Sequence, residues 1–434
     1  MNILMIGTGY VGLISGLGFA EFGFKVTCFD KDQTRMNLLK GGKIPFYEPG
    51  LKDMFDKHYK TTKKLIISTD IKKIAAKADV IFITVGTPTR RIDNEADLSS
   101  VFSVADEISK YIKKYCVIIT KSTVPVGTSR KIKNIISKNV KKNMFDVASN
   151  PEFLREGSAI NDFMRPDRVV IGVESKRSEK ILKSLYRPLY LTETPIVTTT
   201  IETAEIIKYA SNSFLATKIA FINEVSNLCE KVGANVQDVS KAMGLDKRIG
   251  SKFLHVGPGF GGSCFPKDVK AFSKTAKNHK IALSIVNAVN LSNQKRPKIL
   301  ANTIIKYFKN KIRNKNFALL GLSFKPNTDD IRFSTSIIIG NLLIKAGARI
   351  HAYDPKAMKN TKKQYPKYIF TNSSYSACEK SDAIIIATEW NEFRALNLKK
   401  IRKIIKKPIM FDLRNIYDPD EMKESGWEYI SLGR

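Results

Sequence analysis

Short apolar runs alternate with turn residues and helical patterns through the first 150 residues. Ile3–Ile6 predicts a buried strand, Val11–Phe22 predicts an apolar helix that ends before Gly23, and Lys25–Phe29 predicts a second strand. Further runs that predict strands follow at 65–68, 80–85, 117–121 and 145–149. This order is typical of a doubly wound α/β domain with a parallel sheet.

Helical periodicity replaces this alternation in the middle of the chain. From Ile201 to about Val232 the pattern is helical and apolar on more than one face, without Gly or Pro until Gly233. A second helical pattern runs from about Ala282 to Lys311 and is broken only by Pro297. Helices as apolar as these must pack against another surface, so we expect a subunit partner.

The last third of the chain returns to the α/β pattern. Apolar runs that predict strands lie at 316–321, 349–353, 383–387 and 409–413. The turn after the first of them lacks a G-x-G-x-x-G pattern but contains Lys325 and Arg332. The sequence therefore predicts a second α/β domain whose nucleotide site uses cationic side chains.

Composition excludes several classes of protein. A chain of 434 residues with 43% hydrophobic content is large enough for two or three domains with cores. No apolar run is long enough to predict a transmembrane helix, so we expect no membrane partner. The five cysteines are scattered without a C-x-x-C pair, and there are only four histidines. This predicts a reducing, cytoplasmic location without disulfides or a bound metal.

The formal net charge of +32 requires that nucleic acid be considered as a partner. The lysines, however, are spread along the whole chain, and the cluster at 138–142 lies in an apparent loop without interleaved aromatic residues. We therefore expect no nucleic-acid partner and keep a basic nucleic-acid-binding protein only as a distant alternative. A basic protein also suits an anionic substrate and cofactor.

A dinucleotide fingerprint joins the first strand to the first helix. It is the segment Gly7-Thr8-Gly9-Tyr10-Val11-Gly12, which allows a tight turn, close approach of a pyrophosphate and close packing of helix on strand. Asp30 ends the second strand, where a carboxylate binds the ribose hydroxyls and repels a 2′-phosphate. The sequence therefore predicts NAD rather than NADP, with Arg35 covering the adenine or a phosphate.

Turn-rich segments follow two of the later strands, at 85–89 and 122–125, and predict further contacts with the cofactor. Ordinary turn chemistry would also account for them. In the next segment, Asn150 is expected to cap a short helix that begins with Pro151, which would place Glu152 and Glu156 on one face. Alternatively, the two acids only favour a first helical turn.

Four glycines surround a cysteine in the segment from Gly257 to Asp268. Glycine lets a ligand approach the backbone closely, and the adjacent Lys267 favours the nucleophilic thiolate of Cys264. A flexible loop with an incidental buried cysteine is the alternative. On the long helix, Lys208 and Asn212 are four residues apart and face the same way, so together they suit an oxygen-rich ligand.

Seven segments, in this order and spacing, resemble the nucleotide-sugar 6-dehydrogenases of the UDP-glucose/GDP-mannose dehydrogenase family. They are GTGYVG (7–12), VGTPT (85–89), STVPVGT (122–128), NPEFLREG (150–157), KYASNSF (208–214), GPGFGGSCFPKD (257–268) and SFKPNTDDIR (323–332). The resemblance implies two Rossmann-like doubly wound domains, joined by a long central helix and a helical middle domain that forms a homodimer. We expect an NAD-binding domain at 1–198, a central domain at 199–312 and a UDP-sugar-binding domain at 313–434.

The resemblance also implies a four-electron oxidation of UDP-glucose to UDP-glucuronate with two NAD and one water. It places the nucleophile at Cys264, and it gives Lys208 and Asp268 the activation of the C6 hydroxyl. Lys208 would then stabilise the oxyanion with Asn212. Glu152 would direct the hydrolytic water, with Thr123 nearby. A covalent thiohemiacetal retains the aldehyde for the second oxidation.

Binding roles come from the same resemblance. The expected cofactor contacts are Gly7, Gly9, Tyr10, Val11, Gly12, Asp30, Arg35, Thr87, Thr123, Glu156, Lys267 and Arg332. The expected substrate contacts are Phe153, Leu154, Arg155, Glu156, Lys208, Asn212, Arg248, Phe253, Phe260, Gly261, Phe324, Lys325 and Arg414, with Arg248 reaching across the dimer. Sister enzymes that act on GDP-mannose or a UDP-N-acetylhexosamine would share the catalytic residues and remain the alternative. A hydroxyacid dehydrogenase is an alternative with different chemistry, but such an enzyme would lack Cys264 and the second nucleotide domain.

Overall fold

The structure is a computed structural model that describes residues 1–90, 92–93 and 95–434. The chain divides into two compact units. The first comprises Met1–Ser211 with Lys274–Lys280, and the second comprises Asn212–Ser273 with Ile281–Arg434. Within the described residues, no helix is long and apolar enough to cross a membrane.

The strands are divided between the two units. They are β1 (Asn2–Ile6), β2 (Lys25–Phe29), β3 (Leu65–Ile67), β4 (Val80–Ile83), β5 (Cys116–Thr120), β6 (Phe145–Ser149), β7 (Val169–Gly172), β8 (Ile196–Thr199), β9 (Asn316–Leu320), β10 (Arg349–Tyr353), β11 (Ile369–Phe370), β12 (Ala383–Ile386), β13 (Ile409–Asp412) and β14 (Glu428–Ser431).

The helices range from one turn to 32 residues. They are α1 (Tyr10–Glu21), α2 (Gln33–Lys40), α3 (Leu51–Asp56), α4 (Ile71–Ala75), α5 (Ser99–Ser109), α6 (Thr128–Ile136), α7 (Ala159–Met164), α8 (Lys176–Leu185), α9 (Ile201–Val232), α10 (Val236–Leu245), α11 (Phe265–Asn278), α12 (Ser284–Tyr307), α13 (Thr335–Lys345), α14 (Met358–Gln364), α15 (Ser374–Cys378), α16 (Asn391–Arg394), α17 (Leu398–Ile404) and α18 (Pro419–Glu424).

The first unit contains a sheet in the order β3-β2-β1-β4-β5-β6-β7-β8. Its first six strands are parallel, and β4 and β5 are buried along their whole length. Strands covered on both faces read as continuous apolar runs, which is why the sequence predicted them. The chain order reverses between β1 and β4, and the crevice at such a point is where α/β sheets bind ligands.

The far edge of this sheet was not predicted. The strand β7 pairs antiparallel with β6, and β8 pairs parallel with β7. Residues of β8 are half-buried or exposed, so their sequence has no continuous apolar run. The first sheet therefore has two more strands than we expected.

The second unit contains a parallel sheet in the order β11-β10-β9-β12-β13-β14. The four central strands match the predicted runs, whereas the edge strands β11 and β14 were not predicted. With the helical region from α9 to α12, the fold class is confirmed as two Rossmann-like sheets with a helical middle region. One helical prediction was wrong, because α12 continues through Pro297 instead of breaking there.

The packing of α1 on α7 gives a test of the first core. A Cβ atom added at Gly18 would lie 2.1 Å from the Phe163 ring, which is buried and cannot swing into solvent. We expect Gly18→Ala to destabilise the first unit by about 1–3 kcal/mol through overpacking. Hydrogen exchange of the α1 and α7 amides measures this loss.

Two further variants complete this test. Gly18→Ala combined with Phe163→Leu should recover most of the stability, because the smaller side chain makes room for the methyl group. Gly86→Ala is the control, since an added Cβ there meets nothing within 4 Å. Unchanged exchange in Gly18→Ala would contradict the tight packing.

Candidate active site

The glycine turn after β1 has the shape that a dinucleotide requires. A Cβ at Gly12 would lie 1.8 Å from the carbonyl oxygen of Gly7, so only glycine fits where α1 begins. A Cβ at Gly9 would meet nothing within 4 Å, and no side chain caps the N-terminus of α1. A phosphate can therefore approach the first amides of the helix. These residues fit NAD.

Asp30 at the end of β2 is partly exposed beside this turn. Its carboxylate accepts hydrogen bonds from the Thr8 amide (2.7 Å), the Asp32 amide (3.0 Å) and Arg35 Nη1 (2.9 Å). Burial alone raises the pKa of Asp30, but these hydrogen bonds hold it below its ordinary value. The residue is therefore a carboxylate at neutral pH, as recognition of a ribose diol requires.

The two predicted strand-end turns lie together. The Thr87 hydroxyl donates to the Thr123 carbonyl oxygen at 2.8 Å, and the Ser122 hydroxyl donates to the Val85 carbonyl oxygen at 2.7 Å. The turns follow the neighbouring parallel strands β4 and β5, and β4 borders the point where the chain order reverses. Thr87 and Thr123 are therefore on the side of the sheet where a cofactor binds.

Tyr10 connects the glycine turn to the segment that follows β6. Its hydroxyl donates to Glu48, whose carboxylate accepts hydrogen bonds from the Gly157 amide (2.6 Å) and the Ala159 amide (2.7 Å). Burial, followed by the hydrogen bond to Glu48, raises the pKa of Tyr10 far above its usual value. Tyr10 is therefore a neutral donor next to Glu156. Glu48 was missed in the sequence, where nothing distinguished it from a surface acid.

The segment 150–157 is not helical, so the prediction of a short helix there was wrong. Glu152 Oε2 accepts a hydrogen bond from the Leu154 amide at 2.6 Å, and Asp162 accepts one from the Arg155 amide at 2.7 Å. Side chains thus satisfy the amides that a helix would use. Glu152 and Glu156 consequently do not share a helical face.

Glu152 and Lys208 form an ion pair in the first unit. Lys208 Nζ lies 3.2 Å from Glu152 Oε1, and both side chains are almost completely buried. Lys208 Nζ is also 5.2 Å from the centre of the Phe153 ring, on which the Arg168 guanidinium stacks at 3.6 Å. The structure therefore brings together three predicted residues: Glu152, Phe153 and Lys208.

Cys264 directly precedes α11 in the second unit. Its carbonyl oxygen accepts the Asp268 amide at 2.8 Å, so the cysteine stands at the N-terminus of the helix, where the aligned amides favour a thiolate. Asp268 is buried, and its two oxygens accept from Asn212 Nδ2 and Lys267 Nζ, both at 2.6 Å. Cys264 is partly exposed, as a nucleophile must be.

Two residues of α12 hold the glycine-rich loop before Cys264. Asn293 makes two hydrogen bonds to the backbone of Phe260, through Oδ1 at 2.8 Å and Nδ2 at 2.9 Å. Arg296 donates to the Gly257 carbonyl oxygen at 3.1 Å, and Asn223 accepts the Gly257 amide at 2.9 Å. Sequence reasoning missed this clamp, although the i, i+3 spacing of Asn293 and Arg296 places both on one helical face.

The same loop packs against the turn after β9. The Gly262 amide donates to the Arg332 carbonyl oxygen at 2.8 Å, and a Cβ at Gly262 would lie 2.7 Å from the Phe324 ring. A Cβ at Gly261 would lie 2.4 Å from the Phe333 carbonyl oxygen and 3.1 Å from Phe324 Cβ. Phe324 and Gly261, both predicted to bind substrate, are therefore in contact.

Aromatic rings surround the start of α11. The rings of Phe253 and Phe260 each lie 6.0 Å from that of Phe265. Phe253 has a positive φ of 66°, a strained backbone conformation for a residue with a bulky side chain. The structure thus places two further predicted substrate residues beside the cysteine loop.

Arg414 approaches this turn from the end of β13. Its guanidinium donates to the carbonyl oxygens of Ala387 (2.9 Å) and Phe324 (3.2 Å), and Nε is 3.0 Å from Glu389. Lys325 Nζ lies 5.6 Å from the centre of the Phe324 ring. Two predicted cationic substrate residues therefore contact Phe324, Lys325 at its ring and Arg414 at its backbone carbonyl oxygen.

Three predicted binding arginines have a different environment. They are exposed and paired with nearby carboxylates: Arg155 with Asp162, Arg248 with Asp246, and Arg332 with Asp330. Their binding roles stay predictions. In the part of the chain that the structure describes, no group of carboxylate, cysteine and histidine side chains is arranged to hold a metal ion.

Three domain models of one known protein family match successive parts of the chain. Residues 1–190 match the NAD binding domain of the UDP-glucose/GDP-mannose dehydrogenase family, residues 202–295 match its central domain, and residues 318–419 match its UDP binding domain. The first unit thus contains the NAD-binding domain, which confirms the predicted cofactor.

Full-length relatives are similar along the whole chain. The UDP-glucose 6-dehydrogenases of Rhizobium meliloti and Rickettsia bellii are 49% and 47% identical, over 100% of this chain and 100% and 99% of theirs. A solved structure of a UDP-glucose dehydrogenase from Pyrobaculum islandicum is 33% identical, with a TM-score of 0.91 over 99% of this chain and 96% of that one. The chain therefore belongs to the UDP-glucose/GDP-mannose dehydrogenase family.

Proposed function

We propose that this protein oxidises UDP-glucose to UDP-glucuronate through a covalent intermediate on Cys264. The observation that carries the proposal is the partly exposed thiol of Cys264 at the N-terminus of α11. In the first turn of this helix, Asp268 accepts a hydrogen bond from Asn212 on α9. The named function of the full-length relatives supports UDP-glucose as the substrate. The family membership supports the dehydrogenase chemistry.

The first oxidation needs a base at the C6 hydroxyl. We assign this step to Lys208 and Asp268, acting through a water, as the family resemblance implies; a lysine and a carboxylate can each serve as a general base. Lys208 and Asn212 then stabilise the oxyanion, to which both donate hydrogen bonds. NAD, bound to the first unit, accepts the hydride in each of the two oxidations.

Cys264 retains the carbon between the two oxidations. Its thiolate adds to the C6 aldehyde and forms a C–S bond, and the carbonyl oxygen takes up a proton, which gives a thiohemiacetal. Loss of that proton and of a hydride gives a thioester. Water then breaks the C–S bond, so the products are the carboxylate and the free thiol. Two NAD and one water are consumed.

Glu152 directs the water in the hydrolysis. One carboxylate oxygen is held by the Leu154 amide, and the other is paired with Lys208. This leaves the carboxylate fixed in orientation, which is what a base that positions water requires. The family resemblance implies that Thr123 lies near Glu152 and this water.

Cofactor and substrate are assigned to separate domains. We keep the division into 1–198, 199–312 and 313–434, with NAD contacted by the glycine turn, Asp30, Arg35, Thr87 and Glu156 in the first domain. Lys267 and Arg332 are assigned further cofactor contacts. Phe324, Lys325 and Arg414 are assigned to the UDP-sugar, because an aromatic ring with Lys325 beside it and Arg414 at its backbone carbonyl oxygen suits a base and a diphosphate.

An apolar stripe on α9 supports a homodimer. Phe214, Phe221 and Leu228 recur every seven residues on one face, and 67%, 49% and 61% of their surfaces are exposed. Exposed apolar residues in such a row are typical of an oligomer interface. We assign this face to a second copy of the chain, with Arg248 reaching the partner's sugar. Five free cysteines also suit a cytoplasmic location.

Cofactor choice depends on Asp30. The wild-type protein should prefer NAD to NADP, and Asp30→Ala should narrow this preference by about ten- to a hundred-fold, because one charge-assisted contact is lost and a 2′-phosphate is no longer repelled. Initial rates with the two cofactors measure the ratio. Asp32→Ala is the matched control, since Asp32 caps α2 nearby. Equal use of both cofactors by the wild-type protein would contradict the assignment.

Covalent catalysis by Cys264 has a specific signature. Wild-type protein should form two NADH per UDP-glucose. Cys264→Ala should form almost no acid, because neither covalent adduct can exist. Cys264→Ser should stall after a burst of NADH, since an ester is hydrolysed much more slowly than a thioester. Mass spectrometry of the protein should then show the added sugar.

A matched cysteine variant and related sugars serve as controls. Cys229→Ala removes a buried thiol and should leave both oxidations intact. GDP-mannose and a UDP-N-acetylhexosamine should give far less NADH than UDP-glucose. If Cys264→Ala made acid at a near-normal rate, the covalent mechanism would be wrong; a stronger reaction with another sugar would change only the substrate.

A substitution in the exposed apolar face of α9 tests the proposed dimer. Phe221→Asp should convert a dimer into a monomer, because a carboxylate cannot be buried unpaired in an apolar interface. Light scattering after size-exclusion chromatography measures the mass. Leu191→Asp, at an apolar residue that is 89% exposed in the first unit, is the control and should remain dimeric. A wild-type monomer would refute the interface.

A further inference from the structure

A lysine that the mechanism above does not use is buried at the end of β5. Lys121 is 4% exposed, and its Nζ atom lies about equally far from the ring centres of Phe82 (6.0 Å) and Tyr186 (5.9 Å). Burying an ammonium group costs free energy unless the group is paired with an opposite charge and hydrogen-bonded. The position of Lys121 therefore requires an explanation.

The partners of this ammonium group are neutral. Lys121 Nζ donates to Asn150 Oδ1 at 3.0 Å and to the Tyr186 hydroxyl at 3.2 Å, and Tyr186 in turn donates to Asn150 Oδ1 at 2.5 Å. In the part of the chain that the structure describes, no carboxylate lies within salt-bridge distance of Lys121. Its charge is thus left uncompensated by direct contact.

Asn150 connects Lys121 to the turn that carries Glu152. The Asn150 amide donates to the Thr120 carbonyl oxygen at 3.0 Å, and Nδ2 donates to the Val170 carbonyl oxygen at 2.8 Å. With Lys121 on its side-chain oxygen, Asn150 is held on both sides by neighbouring strands. Glu152 follows two residues later and pairs with Lys208.

The charged groups that act on Lys121 are Glu152 and Lys208. Burial is the main cause that lowers the pKa of Lys121 to about 8, while Glu152 opposes the decrease and Lys208 adds to it. The interactions are reciprocal. The Lys121 charge therefore stabilises the Glu152 carboxylate and disfavours a second ammonium at Lys208.

We propose that Lys121 is a positioning residue of the reaction: it fixes the Glu152 turn through Asn150 and places a buried positive charge beside the Glu152–Lys208 pair. This inference rests on the proposed function, because it assigns Lys121 the task of holding Glu152 in position for hydrolysis and of disfavouring a second ammonium at Lys208, which must accept a proton. Lys121 itself does not need to contact the substrate.

Removing the Lys121 charge should shift the pH dependence of kcat in one direction. Without Lys121, the Glu152 carboxylate loses a stabilising cation, and Lys208 loses a repelling one. Both groups must be deprotonated to act as bases. The acid limb of the kcat profile should therefore move to higher pH in Lys121→Met and Lys121→Gln, by roughly half a unit to one unit.

The kinetic test compares these two neutral variants with Tyr186→Phe. The phenylalanine variant removes a hydrogen bond to the ammonium group but keeps the charge, so its acid limb should stay where the wild-type limb is. The KM for UDP-glucose should change little in all three variants. An unmoved acid limb in Lys121→Met, with only a lower kcat, would reduce Lys121 to a structural role and overturn the proposal.

A second measurement needs no substrate. Because the folded protein lowers the pKa of Lys121, folding releases a proton between pH 8 and 10.5, and this contribution to stability rises with pH across that window. Lys121→Met should be more stable than wild type at pH 7, and the difference in melting temperature should disappear by about pH 10.5. A difference that is independent of pH would contradict a buried, unpaired cation.

The two measurements separate the two proposals. If wild-type protein did not oxidise UDP-glucose, the proposed function would fail, while the pH dependence of stability would still test Lys121. Replacing an unpaired buried charge by a side chain of similar size is usually neutral or stabilising. Failure of both neutral variants to fold would therefore also overturn the proposal.

Discussion

A carboxylate that is taken out of water must be paired, and the buried Asp268 of the second unit has a partner on each of two helices. One oxygen binds Asn212 on α9, and the other binds Lys267 on its own helix. The amide of the same residue closes the first turn after Cys264. The pairing of one buried side chain thus links the first turn of α11, next to the thiol, to α9.

An aspartate occupies the same position in both sheets but has a different environment in each. In each, an aspartate after the second strand accepts amides of the turn after the first strand: Asp30 from Thr8, and Asp354 from Leu322 and Ser323. Asp30 remains partly exposed, whereas Asp354 is buried and also accepts the Trp390 indole N–H at 3.1 Å. The first aspartate can face a ribose, and the second is part of the core.

This difference explains why only the first half of the chain contains a recognisable fingerprint. Where the carboxylate faces a ligand, the glycines must leave room for that ligand. Where it is part of the core, the turn needs no such glycines, and the nucleotide contacts that we propose come from the side chains of Lys325 and Arg414. Central strands could be predicted because burial on both faces gives continuous apolar runs. The half-exposed edge strand β8 has no such run.

The same reasoning applies to the candidate site. Cys264, Lys208 and Asp30 could be identified because local sequence marks them, through glycines, helical spacing or the end of a strand. Asn293, Arg296 and Lys121 act through contacts between distant segments, and in the sequence they look like ordinary polar residues of a lysine-rich chain. The helix predicted at 150–157 was wrong for a related reason: Asp162 and Glu152 satisfy amides that local propensity assigned to a helix.

The distribution of thiols has a consequence for the survival of the protein under oxidative conditions. Of the five cysteines, all of which the structure describes, four are buried, and burial raises the pKa of Cys28, Cys116 and Cys378 to about 12. These thiols are chemically inert. Peroxides and alkylating reagents would therefore react first at Cys264, so under the proposed mechanism oxidative damage would remove activity while the fold stays intact.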